Sequence, residues 1–354
     1  MQSPQANRPI GIAILGAAHM HANGVWSYAQ QRPGMRLHWV FDDQPARALA
    51  LARECEAQPT SDLDQVLADP RVEAAMVFAP TDGHDALVDA VVAAGKHLYV
   101  EKPLAISATR AWRLASRIAR SPRLFSSGFV LRRRASHQFL KQQIQAGAFG
   151  RITRIRHING HNGALRGLFD EPARQWFTQP SHSGGGGFLD EGTHSCDMVM
   201  WLLGQRPRRV TAALGNVIGR YPGCEEFGQG LMVFDQGAIG VISGSWVDAG
   251  KAVTLEVCGT EGWAAILSDR DLYVSTPHLP GADGRAPWQM LPPGGPHPLA
   301  AFLDALQGEP GGELVSVHDA AAAAAVMATM TQAAAAQAWI DVPGPTAGAS
   351  PAGA

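Results

Sequence analysis

Asp190, His194 and Asp197 are spaced as i, i+4 and i+7 in Gly184-Gly185-Gly186-Gly187-Phe188-Leu189-Asp190-Glu191-Gly192-Thr193-His194-Ser195-Cys196-Asp197. On a helix this spacing puts all three on one face. A carboxylate one turn from an imidazole can fix its orientation and tautomer, and histidine is the side chain whose ordinary pKa allows proton exchange near neutrality. The face therefore carries the parts for acid–base work, although an isolated Asp/His pair of this spacing also occurs on plain solvated helices. The four glycines read as a flexible loop that opens the helix, and Met198 to Leu203 as its apolar end.

A second chemical stretch is Tyr99-Val100-Glu101-Lys102-Pro103-Leu104. Residues from Lys96 to Val100 alternate as a short strand that stops before the proline, so Glu101 and Lys102 fall at its carboxyl end. Ligands of open α/β sheets bind at that end. Taken alone, a Glu-Lys pair before a proline is also an ordinary surface feature.

The elements that must position these groups follow from the apolar pattern. Ile10 to Leu15 is an unbroken apolar run, as expected of a strand buried on both faces of a parallel sheet, and a helix is expected after Gly16. Leu37 to Phe41 reads as a second strand ending at Asp42-Asp43, and Ala46 to Glu54 as a helix. This β-α-β order places an acidic residue near the spacing of a ribose ligand in a dinucleotide site. The glycine fingerprint is incomplete. Gly16 fills its first position, Ala18 its second and His21 its third, so only the tight-turn glycine is kept. The alternation continues with a strand over Glu73 to Ala79, a loop over Pro80 to His84, a helix over Ala86 to Ala94, a helix over Trp112 to Ala119 and a last strand over Leu124 to Leu131.

Beyond Ser136 the pattern changes. A helix is expected over Gln138 to Gln145, then strands over Arg151 to Ile158, Arg208 to Ile218, Gly230 to Phe234, Ala238 to Val247 and Ala252 to Cys258, with a hairpin turn at Asp235-Gln236-Gly237. Adjacent strands joined by short turns imply an antiparallel sheet, with the Asp190-to-Leu203 helix on one face. Pro277 to Pro298 reads as a loop, and the alanine-rich Val317 to Trp339 as a long helix.

With 354 residues, 46% of them hydrophobic, the chain can build two domains with separate cores. A formal charge of -2 and a pI near 6.7 give no basic footprint for nucleic acid and no polybasic tract for a membrane surface, so a small-molecule partner is expected. Cys55, Cys196, Cys224 and Cys258 lack C-x-x-C spacing and suit reduced thiols in a cytoplasm. Met1 to Pro9 lacks the apolar core of a signal peptide, and no run approaches the roughly 18 apolar residues that span a bilayer. The thirteen histidines invite a metal. His19 and His21 are only two apart, however, and Asp190 and His194 have no spaced third ligand, so no metal is expected.

Taken together, the E-K-P strand end and the glycine-rich D-x-x-x-H resemble the Gfo/Idh/MocA family of dinucleotide-dependent oxidoreductases, and the likeness extends over roughly residues 10 to 340. Pro80 to His84, followed by Ala94-Gly95-Lys96-His97, is similar to that family's cofactor loop, with Ala79 where a hydroxyl residue is usual. The resemblance implies an α/β fold: an N-terminal Rossmann doubly wound parallel sheet, then an α+β domain with a large, mostly antiparallel open-faced sheet. Expected boundaries are 1–128 for the dinucleotide domain, 129–342 for the substrate and oligomerisation domain and 343–354 for a disordered tail. It further implies hydride transfer between a nicotinamide cofactor and a secondary alcohol or ketone of a sugar, polyol or related cyclic compound. Lys102 would bind the reacting oxygen, His194 exchange its proton and Asp190 hold the substrate, with His161 and Trp176 also facing it. Gly16, Ala18, His19, Met20, Asp42, Pro80, His84, Glu101, Lys102 and Pro103 would contact the cofactor. NAD is expected over NADP because Asp42 is followed by Asp43, with Arg47 the only cation nearby. A homodimer or homotetramer through the open sheet is expected. Two other readings stay open: glycoside cleavage by transient oxidation, and non-catalytic dinucleotide binding.

Overall fold

The structure is a computed structural model that describes residues 9–251 and 253–345. Of the expected tail, residues 346–354 lie outside the described residues. The chain forms two compact units. The first comprises the chain up to Ala105, Arg113–Gly128 and Pro296–Val317; the second comprises Ile106–Trp112, Phe129–Gly295 and the chain from His318.

In the first unit the elements run β1 (Ile10–Leu15), α1 (Asn23–Ala29), β2 (Met35–Phe41), α2 (Pro45–Glu54), β3 (Gln58–Thr60), α3 (Leu63–Ala68), β4 (Val72–Val77), α4 (His84–Ala93), β5 (His97–Val100), α5 (Ala108–Ala119) and β6 (Phe125–Ser127). All six strands are parallel, in the order β3-β2-β1-β4-β5-β6. The order reverses direction between β1 and β4, which makes a crevice at their carboxyl ends. Ile12, Ile14 and Leu15 on β1 are fully buried, which accounts for the unbroken apolar run.

Three expectations are corrected here. The helix after Gly16 starts only at Asn23 and is 7 residues long. The last strand ends at Ser127, and Val130–Arg133 form a 3-10 turn where strand was expected to Leu131. The third concerns Pro296–Val317, which the sequence boundary leaves in the second domain but which groups with the first unit. Its helix α9 (Pro298–Leu306) was not foreseen and inserts Leu299, Phe302 and Leu303 among Ile12, Val25 and Tyr99. Those three side chains share one helix face at i, i+3 and i+4 spacing, and burying each is worth about 1.5–3 kcal/mol. Arg32 Nε bonds Asp304 at 2.6 Å and fastens the same helix.

The second unit contains α6 (Ala135–Gln145), β7 (Ile152–Gly160), α7 (Pro180–Ser183), α8 (Gly187–Leu203), β8 (Arg209–Gly215), β9 (Phe227–Val233), β10 (Ile239–Ser245), β11 (Val253–Gly259), β12 (Trp263–Leu267), β13 (Asp271–Ser275), α10 (Val317–Ala336) and β14 (Ile340–Asp341). Its eight strands are ordered β13-β12-β11-β7-β10-β9-β8-β14. Every pairing is antiparallel except β7 with β10, the two strands on which α8 mainly packs. The alternation along β9 and β10 leaves Leu231 and Ile239 exposed, together with Trp263 on β12.

Candidate functional site

In the first unit the expected cofactor residues gather where the parallel strands end. Gly16 leaves β1 with φ of +93°, and a Cβ there would stand 2.3 Å from the Ala79 nitrogen, so only glycine passes this turn. Asp42 follows β2. Its Oδ2 accepts the Ala17 N–H at 2.7 Å and its Oδ1 the Gln44 N–H at 2.9 Å, so the carboxylate ties the two strand exits together. Ala18 and His19 are buried, whereas Met20 is exposed. His84, expected to face the cofactor, is fully buried; Nε2 meets the Ala79 carbonyl at 3.1 Å and Nδ1 the Leu104 carbonyl at 3.4 Å. Its part is therefore to tie the β4 exit to the segment after Glu101-Lys102-Pro103, and burial pushes its imidazole pKa down. Pro80 precedes a 3-10 turn over Thr81–Gly83.

Glu101, Lys102 and Pro103 immediately follow β5, with Glu101 and Lys102 both buried. The Lys102–Pro103 peptide is cis. Burial raises the Glu101 carboxyl, yet the hydrogen bond from His21 and the charges of His19, His21 and Lys102 hold it down at about 2. It is an anion at neutral pH.

In the second unit the site is built on α8. The helix is buried for most of its length, and Gly186 and Gly187 pack against the Glu225 and Glu226 carbonyls, so the expected flexible glycine loop is replaced by a packed one. Its first turn is held by a carboxylate from far along the chain: Oε1 of Glu225 accepts the Gly186 N–H at 2.6 Å and the Leu189 N–H at 3.1 Å. An anion there satisfies helix-end donors and complements the helix dipole. Burial raises the Glu225 carboxyl pKa, against those backbone bonds.

Asp190 and Asp197 then turn to different neighbours. The Trp246 indole donates to Asp190 Oδ2 at 3.0 Å. Asp197 takes a bidentate pair from Arg132, at 2.5 and 2.9 Å, and Arg132 also reaches Asp319 at 3.1 Å. Asp197 is thus an anchor for the helix. His194, between them in sequence, is 8% exposed and meets the edge of Phe129, with ring centroids 6.2 Å apart. From the sheet side, Ser195 Oγ donates to the Ser243 carbonyl at 3.0 Å and accepts from His157 Nδ1 at 2.9 Å. That fixes the His157 tautomer with its proton on Nδ1. His157 is fully buried, which pushes its pKa well below the usual range, so it is a neutral fastener.

His161 lies just beyond β7. It accepts the Gly163 N–H at 2.9 Å through Nδ1, while its Nε2 stands 3.4 Å from Glu191, which also receives Asn159 Nδ2 at 2.5 Å. Ligand atoms of His161, Asp190 and Glu191 lie within 4.8 Å of one another. Trp176 is buried and stacks on Phe177 at 3.9 Å; Phe177 meets Phe169, and Phe169 meets both Trp246 and His161. An aromatic wall thus connects Trp176 to the indole that holds Asp190. Glu191, Trp246, Glu225 and Arg132 were not singled out as site residues, and no local spacing marks them. Glu191 does adjoin Asp190, which was a usable signal.

Residues 10–129 match the family described as "Oxidoreductase family, NAD-binding Rossmann fold", and residues 137–265 match the "GFO/IDH/MocA C-terminal domain". The chain belongs to the GFO/IDH/MocA oxidoreductases, and its first unit is the NAD-binding fold of that family. It is similar to a scyllo-inositol 2-dehydrogenase (NAD(+)) of Bacillus subtilis (strain 168), 28% identical over 75% of this chain and 76% of the relative. A 1,5-anhydro-D-fructose reductase of Ensifer adhaerens is 26% identical over 70% of this chain and 73% of its own. Among solved structures, a levoglucosan dehydrogenase in complex with NADH and levoglucosan shares the fold, with a TM-score of 0.78, 23% identity and coverage of 95% of this chain and 100% of that one.

The residues present fit NAD. The Gly16 turn, too tight for any Cβ, opens the crevice between β1 and β4, and Asp42-Asp43 follow the end of β2, the place from which dinucleotide folds reach the ribose hydroxyls. His21 occupies the place of the third fingerprint glycine and is exposed, so it does not obstruct packing beneath the turn.

Proposed function

We propose that this protein transfers hydride between NAD and a secondary alcohol or ketone of a polyhydroxylated ring or chain, a polyol or sugar. The reading is carried by one observation: Asp190 and His194 sit on a helix locked from three sides in a chain whose other unit is an NAD-binding fold. A helix so fixed keeps polar side chains in one geometry at low entropic cost, as proton transfer requires. The names of its relatives, an inositol dehydrogenase and an anhydrofructose reductase, support the substrate class.

When bound, NAD supplies the hydride acceptor or donor. Gly16, Ala18, His19, Met20, Asp42 and Pro80 would hold it, with Glu101 and Pro103 shaping the nicotinamide end. The Lys102 ammonium stabilises negative charge on the reacting oxygen, and the His194 imidazole takes or returns the hydroxyl proton. Asp190, aimed by Trp246, accepts hydrogen bonds from neighbouring hydroxyls; His161 and Trp176 complete the substrate side. No helix among the described residues is long and apolar enough to cross a membrane. A cytoplasmic homodimer or homotetramer fits the exposed Leu231, Ile239 and Trp263 of the large sheet, and light scattering that returned a monomer would remove that part.

The test is a panel of polyols, sugars, uronates and glycosides with NAD, read by nicotinamide absorbance and product mass. The expected result is NADH formation matched by a product two hydrogens lighter. Cleaved glycoside without net NADH would replace the reading by transient oxidation, and no turnover of any class by a binding function.

A further inference from the structure

We propose that His19, His21 and Glu101 form a binding site for one divalent transition-metal cation of the zinc class. This goes beyond the dehydrogenase reading, with which it shares His19 and Glu101. Sequence spacing supplied only two ligands; the fold adds the third, because β1 and β5 end on the same side of the parallel sheet. One ligand atom from each residue lies within 4.8 Å of the others.

Two of the three are held in advance. A Cβ on Gly128 would come within 2.7 Å of both Glu101 oxygens, so the carboxylate occupies space that only a glycine leaves. His19 is anchored through its backbone N–H to the Phe78 carbonyl at 3.1 Å, its ring packs near Phe78, and its Nδ1 accepts the His21 N–H at 3.2 Å. Both residues are buried. The third, His21, has a side chain 54% exposed and stands 3.7 Å from Glu101. It gives a cation its route in from solvent and supplies the adjustable arm. Ligand atoms bonded to zinc at about 2.0–2.2 Å stand roughly 3.5 Å apart, so the site closes by a rotation of His21 of about an ångström. The His21 and Glu101 pair then has a cation between its members in place of a proton.

The donor set decides which cation. Two imidazoles and one carboxylate suit Zn²⁺, Co²⁺, Ni²⁺ or Fe²⁺, whereas Mg²⁺ and Ca²⁺ require mostly oxygen.

The experiment titrates Zn²⁺ into the full-length protein, freed of metal by dialysis against chelator, with a chromophoric chelator in competition. The expected result is one equivalent bound at micromolar affinity or tighter, undisturbed by a large excess of Mg²⁺, and weakened at least about tenfold in His21→Ala and in Glu101→Gln. Circular dichroism of His21→Ala, a surface change, should match the parent. His161→Ala is the control for the other cluster, His161, Asp190 and Glu191. The proposal is overturned if zinc binds no better than the dye allows, if His21→Ala binds as tightly as the parent, or if the equivalent is lost in His161→Ala instead.

Discussion

The Trp246 indole N–H donates to Asp190 Oδ2 at 3.0 Å, so the direction of a carboxylate on α8 is set by a residue at the exit of β10. Trp246 is itself fixed, fully buried and 4.2 Å from Phe169 between ring centroids. Trp246→Phe keeps the aromatic contact and removes the donor. A hydrogen bond to a charged group is worth about 1.5–3 kcal/mol, so kcat/KM should fall roughly ten- to hundredfold, mostly through KM. Unchanged KM on the true substrate would mean that the indole does not orient Asp190 for binding.

Arg132 and Asp197 form a charged anchor of the same helix. Burial alone would lower the Arg132 pKa, but the carboxylates of Asp197 and Asp319 raise it, so the pair is ionised. Arg132→Met leaves Asp197 buried without its charge partner and should cost about 3–5 kcal/mol in urea unfolding. The double variant Arg132→Met, Asp197→Leu should recover most of that loss. Equal destabilisation by the single and double variants would show that the lost charge was not the cause.

Local pattern made much of this legible. Ile10 to Leu15 announced a doubly buried strand because both faces of β1 are covered, and Asp190, His194 and Asp197 lie on one long helix as their spacing required. Partners that fix those residues were invisible because they are distant in sequence. Glu225 caps α8 from beyond β8, Arg132 reaches it from the turn after β6, and α9 returns to a core that the chain had left at Gly128. Asp42 was legible as a strand-end carboxylate, but not its second duty of receiving the Ala17 and Gln44 N–H groups. His157, which no spacing marked, ends up fully buried and bonded to Ser195.

Buried neutral histidines make stability pH-dependent. Burial lowers the His137 imidazole to about 4, its bond to the Leu131 carbonyl opposing, and lowers those of His84 and His157 as well. An unfolded chain would bind protons at these groups from about pH 6.5 downward, and the folded chain would not, so stability falls as pH falls through that window. From His137 alone the loss between neutrality and about pH 4 is roughly 3 kcal/mol. The urea midpoint should therefore drop between about pH 7 and pH 5, and His137→Gln should flatten the slope. A midpoint that rises on acidification would contradict the assignment.

Cofactor choice rests on the end of β2. The Asp42 carboxylate is buried and that of Asp43 is 84% exposed, with Arg47 drawn to both at 3.3 and 3.5 Å. A 2′-phosphate brought to this strand end meets two carboxylates and a cation already paired. NAD should bind at least about tenfold tighter than NADP, and Asp43→Ser should narrow the ratio. Tighter NADP in a fluorescence titration would reverse the assignment.

Lys102 and His194 are the residues whose removal separates chemistry from binding. On the proposed function, Lys102→Met deletes the ammonium that would stabilise charge on the reacting oxygen, and His194→Ala the imidazole that would exchange its proton. Each should lower turnover by at least about a hundredfold, the usual scale for an electrostatic or acid–base group. NAD affinity should change far less, since neither side chain is assigned to the adenosine or the pyrophosphate. Asp190→Asn should act mainly on KM. His194 stands on α8 one turn from Asp197, so its loss has to be distinguished from loosening of the helix. His194→Gln keeps volume and a polar tip while removing the base, and its urea midpoint should stay near that of the parent. Turnover within a few-fold of the parent in Lys102→Met and His194→Gln would make the D-x-x-x-H face structural and move the search to Glu191, Asn159 and His161.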